Sequence, residues 1–189
     1  MPETLPLFPL HTVLVPGAAL DLRVFEPRYL DLVRECGRSG TGFGICLIGE
    51  GSEVGAPATP LALGTEARIE DFGSGTDGLL QLRLRGGRRF RVVGTTVRDS
   101  GLVAEVDWCA PDPVAELQPQ HALLGEVLRR IHEQVGGDGA QAPEDRYDDA
   151  AWVGWRLAEL LPLSPLQRQG LLQEDDPDRR LDALLAMLS

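Results

Sequence analysis

The dominant spacing of apolar residues in this chain changes near residue 112. Before it they recur mostly in steps of two, and beyond it in steps of three and four. These are the side-chain periods of a strand and of a helix. The change falls at Ala110-Pro111-Asp112-Pro113, where two prolines deny the backbone the donors that a ladder or a helix interior needs. The pattern predicts an α+β chain: a strand-built part over residues 1–112, then a helical part over 113–189.

Within the first part, Leu61, Leu63, Thr65, Ala67 and Ile69 alternate with Ala62, Gly64, Glu66, Arg68 and Glu70, the signature of a half-buried strand. Phe43 to Ile48 is a continuous apolar run, as in a strand buried on both faces. Leu80, Leu82 and Leu84 alternate with Gln81, Arg83 and Arg85. Gly86-Gly87 then reads as a two-residue hairpin turn, because glycine takes positive φ at both central positions. Phe90 and Val92 oppose Arg89 and Arg91 on the return, and Leu102, Ala104, Val106 and Trp108 alternate again. Short strands separated by turn signals predict a barrel or sandwich.

One helix is expected inside this part. Glu26-Pro27 opens it, since proline at the first helical position loses nothing and already has helical φ. Phe25, Tyr29, Leu30 and Val33 then form an apolar stripe for one buried face.

In the second part, Leu124, Val127, Leu128, Ile131 and Val135 form a stripe that ends before Gly136-Gly137, and GGDGAQAPED reads as a flexible loop. Ala150, Val153, Leu157, Leu160 and Leu161 form the next, ended by Pro162. Ser164-Pro165-Leu166-Gln167 has the form of a capping box. A last helix from Asp176-Pro177 offers Leu181, Leu184, Leu185 and Leu188. Four helices with short connections predict a bundle.

Several chemistries are excluded or disfavoured. All 18 basic residues are arginine, so a P-loop lysine, a Schiff-base lysine and a Ser–Lys dyad are impossible within these 189 residues. A net charge of −11 argues against a nucleic-acid surface covering the protein. No apolar run approaches the length of a membrane helix, and Pro6 and Pro9 break the only run near the N-terminus, so a cytoplasmic protein without a membrane partner is expected. Cys36, Cys46 and Cys109 are scattered and read as inert thiols. His121 and His132 lie too far apart for a helical metal pair, His11 sits in a turn, and solvated or locally bonded rings are expected. No metal site, cofactor site or catalytic constellation is predicted.

The ordered motifs LPLFPL, VLVPG, VFEPRYLDLV, FGICLIG, GTEARI, DGLLQLRLRGGRRFRV and LLQEDDPDRRLDALLAML cover nearly the whole chain. In that order they resemble the N-terminal, substrate-binding domain of Lon protease, in a stand-alone form without the ATPase and peptidase domains. The resemblance implies a PUA-like β pseudo-barrel followed by a four-helix bundle. It also implies a non-catalytic module for unfolded or degron-bearing polypeptides, with a separate protease or chaperone as a possible partner. A peptidase S16-like label would then come from the family name alone.

Three sets of residues compete for a functional role. Phe25, Glu26, Pro27, Arg28 and Tyr29 form a structural motif, in which Glu26 complements the helix dipole and Arg28 pairs nearby. Arg83, Arg85, Arg88, Arg89 and Arg91 concentrate positive charge, either as a binding patch for carboxylates or phosphates or as internal partners of Glu66, Glu70, Asp71 or Glu105. The patch supports an alternative, an RNA- or nucleotide-binding module. For polypeptide binding, an apolar groove between the strand part and the helical part is expected, rimmed by residues 49–57 and 72–78. Trp108, Trp152 and Trp155 are expected at the seam between the two parts.

Overall fold

The computed structural model describes residues 3–50, 59–98 and 101–189. They divide into two compact units, Met1–Ala110 and Pro111–Ser189. Pro111 and Asp112 therefore go with the helices. Among the described residues, no helix is long and apolar enough to cross a membrane.

The first unit contains β1 (Glu3–Leu10), β2 (Ala19–Val24), α1 (Pro27–Ser39), β3 (Phe43–Glu50), β4 (Thr59–Pro60), β5 (Leu63–Ser74), β6 (Leu80–Arg98) and β7 (Gly101–Trp108). Strand β1 pairs antiparallel with β7, β7 with β6, β6 with β5 and β5 with β3. The parallel β1–β3 pair, Leu7↔Gly44 to Leu10↔Leu47, returns the ladder to its starting strand. Five strands thus form a ring, with β2 added to β6 and β4 to β3. Closing the ring leaves those five without a long free edge, except where one strand outruns its neighbour. The interior holds Leu5, Leu7, Cys46, Phe90, Ala104 and Val106. Gly44 and Gly64 are required there: a Cβ on either would come within 3 Å of the Phe90 ring.

Gly86-Gly87 is not a turn. β6 runs through it without interruption, and neither glycine has positive φ. The register moves from Ala67↔Gly86 to Thr65↔Arg89, so Glu66 faces two residues of β6 across a bulge. Glycine is needed for close approach: a Cβ on Gly86 would lie 2.2 Å from the Val15 carbonyl oxygen. The Gly86 N–H donates to Ala18 O, and Gly17 N–H donates to Gly86 O, both at 2.8 Å. The half-buried reading of β5 also fails at its start. Residues 63–67 are buried on both faces, including the Glu66 carboxylate.

Helix α1 begins at Pro27 as predicted and ends in a left-handed Gly40, φ 71°. Its buried face is Tyr29, Val33 and Cys36. Phe25 does not join it and is 55% exposed, because it precedes the first helical turn.

The second unit contains α2 (Ala122–Val135), α3 (Ala150–Leu160), α4 (Pro165–Gln173) and α5 (Pro177–Leu188). The capping box is complete: Gln167 N–H donates to Ser164 Oγ at 3.1 Å, and Ser164 N–H donates to Gln167 Oε1 at 2.9 Å. Asp149 and Asp176 cap α3 and α5. Two expectations change. Val135 is exposed and Leu188 half-exposed, while His132 and Arg180 are buried. The segment after Gly136-Gly137 folds into two 3₁₀ turns, Asp138–Gln141 and Glu144–Asp148, rather than remaining irregular. Gly139 belongs there because a Cβ would lie 2.7 Å from His132 Nε2.

Candidate functional site

The arginine cluster is largely spent on internal partners. Arg85 reaches Glu70 at 3.0 Å and donates to the Gly17 carbonyl at 3.0 Å. Arg83 lies 3.7 Å from Asp21 and 3.9 Å from Glu70. Arg88 lies 3.5 Å from the buried Glu66 and stacks on Trp108, 3.7 Å from its ring centre. Arg89 is itself buried, and Arg91 sits in register with Asp107. The bulge at Gly87–Arg88 separates the five side chains that a simple hairpin would have gathered. This geometry does not favour the nucleic-acid alternative.

Within the Phe25–Tyr29 motif the two charged residues pair with each other. Glu26 makes no side-chain cap, because its carboxylate is taken by Arg28 Nε at 2.7 Å. Arg28 lies 4.7 Å above the Tyr29 ring, and Tyr29 stacks on Phe8 with centroids 3.8 Å apart.

The tryptophans find ring partners within their own units. Trp108 meets Phe90 edge-on at 6.1 Å. Trp152 packs on Tyr147 and His132, at 5.1 and 5.9 Å. Trp155 carries the Arg180 guanidinium at 3.6 Å and donates its indole N–H to Asp112 at 2.6 Å. His121 and His132 are buried and bonded rather than solvated. His121 Nε2 lies 2.7 Å from Asp182, and His132 Nδ1 lies 2.6 Å from the Tyr147 hydroxyl. Burial, with Arg156 nearby, lowers the His132 pKa from its usual value.

One concave feature of the strand unit is a groove of about 700 Å³ between α1 and the paired strands β5 and β6. Leu30 and Val33 form its helical wall, and Ile69, Phe72, Leu80 and Leu82 form its sheet wall. Two backbone details open it. Gly37 faces the groove with nothing within 4 Å of where a Cβ would stand. The register of β5 against β6 shifts between Ile69 and Asp71, so Ile69 and Phe72 both line the groove despite their odd spacing. Phe72 is 73% exposed, a large apolar side chain held at the rim. Arg34, Arg68 and Glu70 supply the polar border.

Cys36 also lines the groove, but burial raises its thiol pKa, so the thiolate needed for attack is scarce. Cys46, inside the ring, is pushed up to about 12. Among the described residues, no group of His, Cys, Asp and Glu side chains could hold a metal.

The lining of this groove falls wholly within the first unit. Of the expected rim, Phe72 contributes, while residues 51–58 lie outside those described. Two signals could have located it: a helix-interior glycine at 37, which costs about 1 kcal/mol without a packing or functional reason, and a phenylalanine within the polar stretch EDFGSGTDG.

The comparisons agree with this architecture. The family model described as the ATP-dependent protease La (LON) substrate-binding domain matches residues 4–189. The Lon N-terminal domain protein from Xanthomonas campestris is 58% identical, with a TM-score of 0.82, over 97% of this chain and 98% of that one. The N-terminal domain of Mycobacterium avium complex Lon protease shares the fold at 18% identity, with a TM-score of 0.69 over 97% of both chains. With a family match from end to end and a majority-identical relative of the same length, the chain belongs to the Lon substrate-binding domain family.

Proposed function

We propose that this chain is a non-catalytic cytoplasmic module that holds unfolded or degron-bearing polypeptides in the groove between α1 and β5–β6. The observation that carries the reading is the groove itself: an apolar trough with charged borders on a member of a substrate-binding family. A chain in non-native conformation exposes apolar side chains that a folded protein hides, so such a trough selects for it. Delivery to a separate protease or chaperone partner belongs to the same reading. So does the finer architecture, a PUA-like pseudo-barrel ahead of a four-helix bundle, which the strand ring and the packing of α3 on α2 and α5 support.

The non-catalytic part rests on chemistry. Without lysine the chain cannot supply a Walker lysine or a Ser–Lys dyad, and burial raises the pKa of the Cys36 thiol in the groove. Hydrolysis of casein by the purified protein would overturn this.

Binding is tested with fluorescein-labelled, reduced and carboxymethylated α-lactalbumin, without ATP, by anisotropy. Gly37→Leu fills the groove from a position with open space around it and improves helix propensity, so the fold survives. Phe72→Ser removes apolar surface from an exposed residue. Both variants should weaken binding about tenfold or more, since burying one large apolar side chain is worth roughly 1.5–3 kcal/mol. Unchanged affinity in both moves the site elsewhere.

A further inference from the structure

The groove runs beside a length of strand whose outer edge is open. β3 pairs with β5 only from Ile45↔Thr65 to Phe43↔Ala67. From Arg68 to Ser74, β5 keeps β6 as its one strand partner among the described residues. No backbone bond from another described segment reaches those positions. In an antiparallel ladder alternate residues turn their N–H and C=O groups away from the partner, so this stretch presents donors and acceptors that no other described strand takes. At about 3.3 Å per residue the open edge is roughly 20 Å long. The Phe72 N–H donates to the Asp71 carboxylate at 2.9 Å.

The border beside this edge carries two exposed arginines. Glu70 is held by Arg85 at 3.0 Å and approached by Arg83. Arg34 and Arg68 are 70% and 65% exposed and pair with Asp31 at 3.7 Å and with Glu66 at 3.6 Å. Two exposed guanidiniums therefore flank an apolar trough on a protein of charge −11. A second copy would bring its own charge of −11 against this one, whereas a short extended segment carries little charge and can set one acidic residue against an arginine.

We infer that an extended polypeptide binds by adding a strand to the outer edge of β5 between Arg68 and Ser74, every second side chain entering the groove and an acidic residue meeting Arg34 or Arg68. This deepens the groove reading and rests on it: the ladder supplies sequence-independent affinity, while the trough and its arginines select apolar segments next to acidic ones. Recognition by backbone suits a module that must accept many sequences.

The test uses a ten-residue fluorescein-labelled probe that alternates leucine and serine between terminal glutamates. Two analogues carry N-methyl groups, one on every leucine and one on every serine. In a strand the N–H groups of alternate residues point to opposite edges, so only one set can face β5. One analogue should lose about tenfold or more in affinity while the other binds as the parent does. Amides within 68–74 should gain protection in hydrogen exchange when the parent probe is bound. Equal affinity of the two analogues, retained or lost together, overturns strand addition but leaves the groove reading standing. Failure of the parent probe in the high micromolar range, together with failure of the α-lactalbumin assay, removes both. Protection of the same amides by self-association, seen as a dimer in sedimentation, would assign the edge to a second copy and overturn the inference.

Discussion

Replacing Asp112 by alanine should destabilise the helical unit far more than its place in a proline-rich connector implies. Asp112 accepts the Trp155 indole N–H at 2.6 Å and the Arg180 guanidinium at 3.1 Å. Arg180 is fully buried, donates to the carbonyls of Leu171 and Glu174, and lies against the Trp155 ring. Removing one partner of a buried ion pair leaves the other charge in a poor solvent and typically costs 3–5 kcal/mol. The lower end applies, because Arg180 keeps two carbonyls and an aromatic face, so about 3 kcal/mol is expected. With an m-value of about 1.5 kcal/mol/M, the urea midpoint read by helical circular dichroism should fall by roughly 2 M. Arg180→Met alone should cost less, since the Asp112 carboxylate retains some exposure and the indole N–H. The double variant should then be markedly less destabilised than the sum of the two, with a coupling of about 1.5 kcal/mol or more. An Asp112→Ala loss under about 1 kcal/mol, or strict additivity, would refute the view that a buried ion pair anchors residue 112 to the helices.

Three further outcomes are expected. Gly86→Ala should cost about 1–3 kcal/mol, because the new methyl meets the Val15 carbonyl, whereas Gly73→Ala, with open space around it, should be close to neutral; thermal unfolding of the pair distinguishes a bulge from a surface turn. The His132 pKa is depressed in the fold, so the unfolded chain binds the proton more readily. The stability from neutral His132 is therefore present above the unfolded value near 6.5 and is lost as pH falls from there through the folded value. His132→Gln should flatten that decline in denaturation curves measured from pH 7.5 to 5, and an unaltered slope would contradict it. In native protein at pH 8, iodoacetamide should label the half-buried Cys109 first, with Cys46 reacting only on unfolding, as peptide mapping of the alkylated protein would read out.

Much of the chain can be read from local pattern, because the physics that forms a helix end or a strand face acts over a few residues. Pro27 starts α1, Ser164 and Gln167 close a capping box, Asp176 caps α5, and Leu80, Leu82 and Leu84 point one way. The family, too, is legible in the order of its motifs.

What only the tertiary structure decided are encounters between residues far apart in sequence. Gly86-Gly87 carries the composition of a hairpin turn, and the approach of the Val15–Ala18 segment makes it a bulge. The arginines of β6 look like a patch until Asp21, Glu66 and Glu70 arrive beside them. His132 and Arg180, polar by type, are buried because Tyr147 and Asp112 come from other segments to satisfy them. The groove has the same origin: Gly37 on a helix and Phe72 beyond a bulge have no shared pattern along the chain. Local sequence sets which way a side chain faces, but whether it meets a partner, a wall or open space depends on what the rest of the chain places opposite it.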